Sequence, residues 1–216
     1  MKEVVLKLVG EENFFVQEAY KTLRTNLQFC GQDVKVILFT SVQENEGKST
    51  VSLQTAKSLV ELGKKVLLID ADLRKSVLAG RNSDAKNPVG LSEVLSGMSS
   101  VGECLYESQY EGLHILFSGQ TPPNPVELLG SKYFAKLIAE AREVYDYIIV
   151  DTPPLGMVID AAVIAPICDG TALVVGNDAR ASDARNVVSQ LEKTGCKVLG
   201  AVRNNVRTKH RSAYNK

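Results

Sequence analysis

The stretch VKVILFTSVQENEGKSTVSLQTAKSLV, residues 34–60, decides the fold. Its apolar part, Val36–Thr40, is typical of a buried strand, and Ser49–Leu62 has the pattern of a helix. A strand, a loop ending in Gly-Lys-Ser-Thr and a helix together form a P-loop, in which backbone N–H groups and the helix N-terminus point at phosphates. The residues expected to bind the nucleotide here are Asn45, Glu46, Gly47, Lys48, Ser49 and Thr50.

Two side chains at the end of this loop have roles that follow from their chemistry. Lys48 would reach the β- and γ-phosphates and the Ser49 hydroxyl would bind magnesium, so ATP and Mg²⁺ are the expected cofactors. The strict P-loop pattern would have a glycine where this chain has Val42. Because acids inside a phosphate site repel the ligand, we expect the side chains of Glu44 and Glu46 to point outward.

Short apolar runs alternate with helical patterns along almost the whole chain. The predicted strands are Val36–Thr40, Val66–Ile69, His114–Phe117, Tyr147–Val150, Ala172–Val175 and Lys197–Val202. The helices predicted between them are Ser49–Leu62, Val126–Glu143, Ala161–Ile167 and Ser182–Lys193. Strands that are apolar without alternation are covered on both faces. The pattern therefore predicts an α/β fold of the P-loop NTPase type, with a mostly parallel sheet flanked by helices on both faces.

Two segments lie outside this alternation. Phe14–Phe29 has apolar residues at spacings of four, three and four, which predicts an amphipathic helix packed on the flank of the domain. Ser76–Pro88 is polar and rich in turn-forming residues, and we interpret it as a surface loop.

Carboxylates follow two of the predicted strands. Asp70 and Asp72 come after one apolar run, and Asp151 comes after another. The carboxyl ends of parallel strands open on one edge of a sheet, so these groups should converge with Lys48 and Ser49. A charge there is unfavourable unless a cation meets it, and carboxylates suit magnesium as hard oxygen ligands. The predicted metal ligands are Ser49, Asp70 and Asp151.

The predicted catalytic residues are Lys48, Asp70, Asp72 and Asp151. Asp151 has the position of a Walker B carboxylate, which holds a magnesium-bound water, and Asp70 would accept the proton of an attacking hydroxyl. Asp72 would order the metal or the acceptor, and Arg74 would offset charge in the transition state. The alternative is that these aspartates only cap the helices that follow them.

Composition restricts the partners and the compartment. The chain has 216 residues, and its 25 Lys+Arg balance 25 Asp+Glu, which argues against nucleic acid as a partner. The four cysteines are widely spaced, as is typical of reduced thiols in the cytoplasm. The start, MKEVVLKLVGEENFF, is unlike a signal peptide, and no apolar run has the roughly 20 residues of a spanning helix. We therefore expect a cytoplasmic protein that reaches the inner face of the cell membrane only through a partner.

Five segments carry a resemblance to a known family: EAYKTLRTNLQF, GKSTVSLQTAKSLVELGKKVLLIDADLRKS, GLSEVLSG, SGQTPPNPVELLGS and YDYIIVDTPPLGMVIDA. They resemble the bacterial tyrosine kinases of capsule and exopolysaccharide synthesis, over Phe14 to Val206. GQTPPNPVELL is the most specific of them, because partition and septum-positioning ATPases of the same superfamily do not carry it. The resemblance implies transfer of the ATP γ-phosphoryl group to tyrosines of neighbouring copies or other proteins, and regulation of polysaccharide synthesis and export.

The resemblance also implies residue roles. It assigns Lys48 and Ser49 to the Walker A motif, Asp70 and Asp72 to Walker A′, and Asp151 to Walker B. Asn204, from the G-x-x-x-N of the last strand, is implied to lie near the adenine.

The same resemblance implies assembly. An E-x-x-R-x-x-R pattern on the first helix, about residues 14–29, mediates ring formation in the family and reads here as Glu18, Lys21 and Arg24. An ordinary ion pair within the helix is the alternative. Family members of the separate-chain type are activated by a transmembrane protein that resembles a polysaccharide co-polymerase, and this is the expected partner.

The C-terminal segment departs from the family, whose tyrosine cluster is reduced here to one residue. Residues 1–206 are expected to form a single kinase domain and 207–216 a flexible basic tail. Tyr214, in RTKHRSAYNK, is a candidate phospho-acceptor; the alternative is an ordinary tail residue, with other proteins as the main substrates.

Two other functions compete with tyrosine phosphorylation. One is a nucleotide-dependent switch of the partition or septum-positioning type, but those proteins carry a second lysine five residues before the P-loop lysine, where this chain has Gln43. The other is a non-catalytic scaffold that binds ATP and acts on polysaccharide export by assembly alone.

Overall fold

The computed structural model describes residues 1–8 and 13–206, and its central element is one sheet. Its strands are β1 (Lys2–Val4), β2 (Val36–Ser41), β3 (Val66–Asp70), β4 (Leu105–Ser108), β5 (Leu113–Leu116), β6 (Tyr147–Asp151), β7 (Gly170–Val175) and β8 (Val198–Arg203). In these residues the sheet has eight strands in the order β1-β4-β5-β3-β6-β2-β7-β8. Only β1 and β4 run opposite to the others, because β4 pairs antiparallel with β5 and parallel with β1. The predicted mostly parallel sheet is confirmed.

Helices surround this sheet. They are α1 (Phe14–Phe29), α2 (Lys48–Val60), α3 (Leu78–Asn82), α4 (Leu91–Leu95), α5 (Val101–Cys104), α6 (Pro125–Leu129), α7 (Lys132–Val144), α8 (Asp160–Ile164), a 3₁₀ turn (Ala165–Ile167) and α9 (Ala181–Lys193). No helix in the described ranges is both long enough and apolar enough to cross a membrane.

Two hydrophobic clusters lie on opposite faces of the sheet. Val36 and Leu38 of β2 belong to the cluster that includes residues of α4 and α6–α9. Ile37 and Phe39 belong to the cluster that includes residues of α1–α3. All four side chains are completely buried. Successive side chains of a strand point to opposite faces, so a strand between two layers of helices must be apolar at every position.

Two predicted elements need correction. The single helix expected over Val126–Glu143 is two helices, α6 and α7, because α6 ends at Gly130 and the Ser131 side chain caps α7 by accepting the Phe134 N–H. The surface loop expected over Ser76–Pro88 contains α3, whose Leu78 is completely buried.

Strands β1 and β4 were not predicted from the sequence. They have three and four residues, too few for a pattern to stand out. The helix expected over Phe14–Phe29 is confirmed as α1, with the Asn13 side chain as its N-cap. Tyr214 and the expected tail 207–216 lie outside the described residues.

Candidate active site

Three adjacent strands place the predicted site residues at one edge of the sheet. β6 lies between β2 and β3, so the P-loop and the two aspartate segments leave the sheet side by side. Asp70 of β3 and Asp151 of β6 are register partners, and each is only 1% exposed. The Ala71 N–H donates to the Asp151 carbonyl at 2.7 Å, which holds the two strand ends together. The predicted convergence of these residues follows from this strand order.

The Lys48 ammonium lies between the two aspartate segments. Its Nζ is 3.1 Å from Asp72 Oδ2, 4.0 Å from Asp151 Oδ2 and 3.3 Å from Ser49 Oγ. Desolvation lowers the pKa of Lys48, but the charges of Asp151 and Asp72 outweigh it and raise the pKa above its usual value. Lys48 therefore stays protonated and holds Ser49 and the carboxylates within reach of a bound phosphate.

Asp151 is buried with little polar contact from the described residues. Neither carboxylate oxygen has a partner there in good hydrogen-bond geometry, although the Lys48 ammonium lies 4.0 Å away. Burial raises the pKa of Asp151, and the charge of Lys48 and the Ser49 and Ser52 hydroxyls offset only part of this effect. An unsatisfied buried carboxylate is strongly unfavourable, and a divalent cation beside it would relieve the penalty. The residues present thus fit magnesium.

The described residues do not enclose a metal by themselves. No group of three or more His, Cys, Asp or Glu among residues 1–8 and 13–206 is arranged to hold an ion. Magnesium is commonly bound by one or two carboxylates, with phosphate oxygens and waters completing its shell. This arrangement suits an ion that arrives with a nucleotide.

The surroundings of Asp70 differ from those of Asp151. Its Oδ2 accepts a short hydrogen bond from the Ser76 hydroxyl, and its Oδ1 accepts the Asp72 N–H at 3.3 Å. Burial, followed by the charge of Asp151, raises the pKa of Asp70 to about 7. A carboxylate with a pKa near neutrality is suited to accept a proton. Ser76 was not identified from the sequence, because a serine in a polar loop carries no distinguishing signal.

The phosphate loop has the backbone of a P-loop although Val42 replaces its first glycine. Asn45 and Gly47 have positive φ angles of 63° and 86°. A Cβ on Gly47 would lie 2.1 Å from Asn204 Nδ2, which donates to the Glu46 carbonyl at 2.9 Å. Only glycine fits this position. The Asn204 side chain therefore contacts the loop backbone. Its position near the adenine stays a prediction.

The Glu46 side chain points into the loop, and the expectation that it points outward is wrong. Its Oε2 accepts the Val42 and Gln43 N–H groups at 2.7 and 2.9 Å, and its Oε1 accepts the Gly176 N–H at 3.0 Å. These bonds satisfy the buried carboxylate and join the loop to the end of β7. Glu44 is exposed as expected and pairs with Lys75.

A cleft of about 420 Å³ opens beside the loop. The described residues that line it are Glu44, Asn45, Gly47, Lys48, Ser49, Thr50, Asp72, Arg74, Lys75, Val77, Arg81, Asn82, Pro153, Pro154, Met157 and Val158. Arg74 forms part of its wall, and its Nε donates to both oxygens of the buried Asp160 at 2.9 and 3.1 Å. Asp160 was not identified from the sequence either.

The three candidate assembly residues on α1 differ in their surroundings. Glu18 and Lys21 form an exposed ion pair at 2.7 Å, with 46% of each side chain accessible. The Arg24 side chain is largely buried, and its guanidinium donates to the Ser58 carbonyl of α2 at 2.7 Å and lies 3.7 Å from Glu61. Within this chain, Arg24 ties α1 to α2, whereas the other two residues remain accessible.

Comparison with known proteins identifies the family. Residues 34–175 match the family described as an AAA domain. Tyrosine-protein kinase CpsD of Streptococcus agalactiae is 42% identical over 191 residues, which cover 88% of this chain and 83% of the relative. The chain belongs to the bacterial tyrosine kinases. The kinase domain of Escherichia coli tyrosine kinase ETK superposes with a TM-score of 0.85 at 32% identity, covering 93% of this chain and 79% of that domain.

A second group of solved structures is less similar to this kinase. The septum site-determining protein MinD of Pyrococcus horikoshii, complexed with Mg-ADP, has a TM-score of 0.67 at 26% identity. The superposition covers 81% of this chain and 72% of that one. The P-loop fold is thus common to both groups.

Proposed function

We propose that this chain transfers the γ-phosphoryl group of ATP to tyrosine hydroxyls of proteins. One observation carries the proposal: Lys48 of the P-loop lies beside the buried Asp151, whose register partner on the neighbouring strand, Asp70, is also buried and has its pKa raised to about 7. The family membership and the Mg-ADP complex of MinD support ATP and Mg²⁺ as cofactors.

Each residue has a proposed task. Backbone N–H groups of residues 45–50 and the Lys48 ammonium bind the phosphates, and Ser49, Asp151 and Asp70 would hold magnesium, which would neutralise phosphate charge. The tyrosine oxygen attacks the γ-phosphorus, the bond from that phosphorus to the β–γ bridging oxygen breaks, and Asp70 accepts the phenolic proton. Asp72 keeps Lys48 in place.

We further propose that residues 1–206 act as one kinase domain that assembles into rings through α1 and controls capsular or exopolysaccharide synthesis. Its activator would be a transmembrane protein of the polysaccharide co-polymerase type, which would bring the kinase to the inner face of the membrane. Exposure of Glu18 and Lys21 supports a contact through this helix. Tyr214 remains a candidate acceptor.

The test compares the full chain with Lys48→Met in the presence of Mg·ATP and the cytosolic tail of the activator. We expect phosphotyrosine on the unchanged chain or on added proteins and a loss of at least about a hundredfold in the variant, because the phosphates lose their cation. Mg·ADP binding by the unchanged chain without any phosphotyrosine would contradict the proposal.

The scaffold alternative makes a different prediction about polysaccharide. If assembly alone matters, Lys48→Met leaves polysaccharide secretion unchanged while changes at Glu18 and Lys21 abolish it. The kinase proposal requires that Lys48→Met also reduces secretion.

A further inference from the structure

The cleft extends from the phosphate loop along the ends of β3 and β6. Its lining comes from the P-loop and the start of α2, the segment between β3 and α3, α3 itself, and the segment between β6 and α8. Among the described residues, none at the ends of β7 and β8 lines it, and Asn204 lies there. Since Asp70 and Asp151 end β3 and β6 and Asp72 lines the cleft, we expect the γ-phosphate and the acceptor at this end of the site.

The outer wall of the cleft is basic. Arg74, Lys75 and Arg81 are exposed there, and the carboxylates among the described lining residues are the exposed Glu44 and the buried Asp72. Glu44 pairs with Lys75 at 3.0 Å in an exposed contact, which is weak and easily exchanged. No described carboxylate pairs with Arg81.

Arg74 is fixed by an ion pair with a buried carboxylate. Its Nε donates to the completely buried Asp160, which fixes the guanidinium at the rim and leaves its terminal nitrogens for other partners. Asp160 balances the charge of Arg74. Arg74 therefore offers hydrogen-bond donors to a ligand in the cleft but adds little net charge.

Part of the lining of the cleft is apolar. Val77, Pro153, Pro154, Met157 and Val158 line it, and Met157 is 58% exposed. A cleft lined by both apolar and polar groups suits a tyrosine side chain, whose ring is apolar and whose hydroxyl is polar.

The helix that carries Arg81 is fixed in place. Leu78 of α3 is completely buried, and the Asn82 carbonyl accepts the Lys7 N–H at 2.7 Å. Ser76, just before α3, is hydrogen-bonded to Asp70. The backbone of the basic wall is therefore positioned before any substrate arrives, which reduces the entropy lost on binding.

We propose that the wall formed by Arg74, Lys75 and Arg81 selects acceptor segments in which acidic residues flank the tyrosine. This inference rests on the proposed kinase function and names its substrate class. The chain's own segment RTKHRSAYNK has Arg207, Lys209 and Arg211 before Tyr214 and no acid. Like charges repel, so this segment is disfavoured in the cleft and the preferred acceptors are acidic segments of other proteins.

The test uses two peptides and the full chain loaded with Mg·ADP, in which no phosphate is transferred. One peptide has the sequence RTKHRSAYNK, and in the other Glu replaces the residues that correspond to Arg207, Lys209 and Arg211. Binding is measured by fluorescence anisotropy at low and at high salt. We expect the acidic peptide to bind about tenfold tighter at low salt, and less so at high salt because salt screens exposed charges.

Arg81→Glu should reduce this preference at least about threefold, whereas Lys136→Glu, the same charge change on α7 outside the cleft, should leave it intact. Equal binding of the two peptides, or an unchanged preference in Arg81→Glu, would refute the acidic-acceptor proposal. The proposal is equally refuted if Arg81→Glu weakens Mg·ADP binding instead, because the wall would then serve the nucleotide.

A parallel assay with Mg·ATP separates the two proposals. Phosphorylation of both peptides with equal kcat/KM would uphold the kinase function and overturn the acidic preference. Selective binding without any phosphotyrosine would uphold the preference and contradict the kinase function.

Discussion

Asp70 and Asp151 lie opposite each other at the ends of β3 and β6, and each is 1% exposed. Their sequence positions after apolar runs predicted that they converge with Lys48, because adjacent parallel strands end together. The role of Glu46 was not predictable in this way. Whether its carboxylate points outward or accepts three backbone N–H groups depends on the path of the loop and on Gly176, which is remote in sequence.

The first residue-scale prediction concerns pH. The pKa of Asp70 is about 7 in the folded state, against 3.8 for an ordinary carboxyl group. Between these values the folded state keeps a proton that the unfolded state loses, so Asp70 makes stability fall as pH rises from about 4 to 7. Asp70→Asn removes this effect. Without metal or nucleotide, we expect its melting temperature to exceed that of the parent by several degrees at pH 8 and the gap to narrow toward pH 4.

Differential scanning calorimetry at pH 8, 6 and 4 checks this prediction. Asp33→Asn, a change at an exposed carboxylate, is the matched control and should follow the parent at every pH. An Asp70→Asn variant that is less stable than the parent at pH 8 would show that Asp70 is not destabilising when ionised.

The second residue-scale prediction concerns Glu46. Glu46→Ala leaves the N–H groups of Val42, Gln43 and Gly176 without their acceptor. Since the Val42 N–H is buried, we expect a loss of about 1–3 kcal/mol in the free energy of unfolding and weaker Mg·ADP binding. Urea denaturation and calorimetric titration measure the two effects. The neighbouring change Glu44→Ala should alter stability by less than about 0.5 kcal/mol, and equal effects of both variants would contradict the capping role.

At the scale of elements, the strands that carry the site were predicted to within a few residues, because burial between two layers of helices makes them apolar throughout. Short elements were not predicted. β1 and β4 have too few residues to show a period, and α3 has five. The break between α6 and α7 depends on Ser131 capping a new helix within a continuous apolar pattern.

The prediction at this scale separates folding from assembly on α1. The guanidinium of Arg24 donates to Ser58 and lies near Glu61 of the adjoining segment, whereas Lys21 pairs only with Glu18 of its own helix among the described residues. Arg24→Ala should therefore lower the free energy of unfolding by about 1.5–3 kcal/mol. Lys21→Ala should change it by less than about 0.5 kcal/mol.

Urea denaturation of monomeric protein provides the measurement, and sedimentation velocity reports assembly. If Lys21→Ala disrupts assembly while leaving stability unchanged, the exposed face of α1 is the contact. Equal stability of Arg24→Ala and the parent would show that Arg24 does not contribute to the attachment of α1 to α2.

At the scale of the whole molecule, metal and nucleotide should stabilise the fold cooperatively. The buried carboxylates favour a cation, yet no described group of side chains holds one alone, so phosphate oxygens are needed to complete its shell. Millimolar Mg²⁺ alone should raise the melting temperature by about one degree or less. Mg·ADP at a hundred times its dissociation constant should add about 2.7 kcal/mol, or roughly 5–10 °C for a chain of this size.

Two variants test which residues produce the stabilisation by Mg·ADP. Lys48→Met should abolish most of this stabilisation, because the phosphates lose their cation. Asp151→Asn should reduce the part that depends on Mg²⁺ and leave the gain from metal-free ADP unchanged. Because linkage is reciprocal, the factor by which Mg²⁺ tightens ADP binding must equal the factor by which ADP tightens Mg²⁺ binding, and titrations in both orders measure it. A large gain from Mg²⁺ alone, unaltered in Asp151→Asn, would mean that the metal binds elsewhere on the molecule.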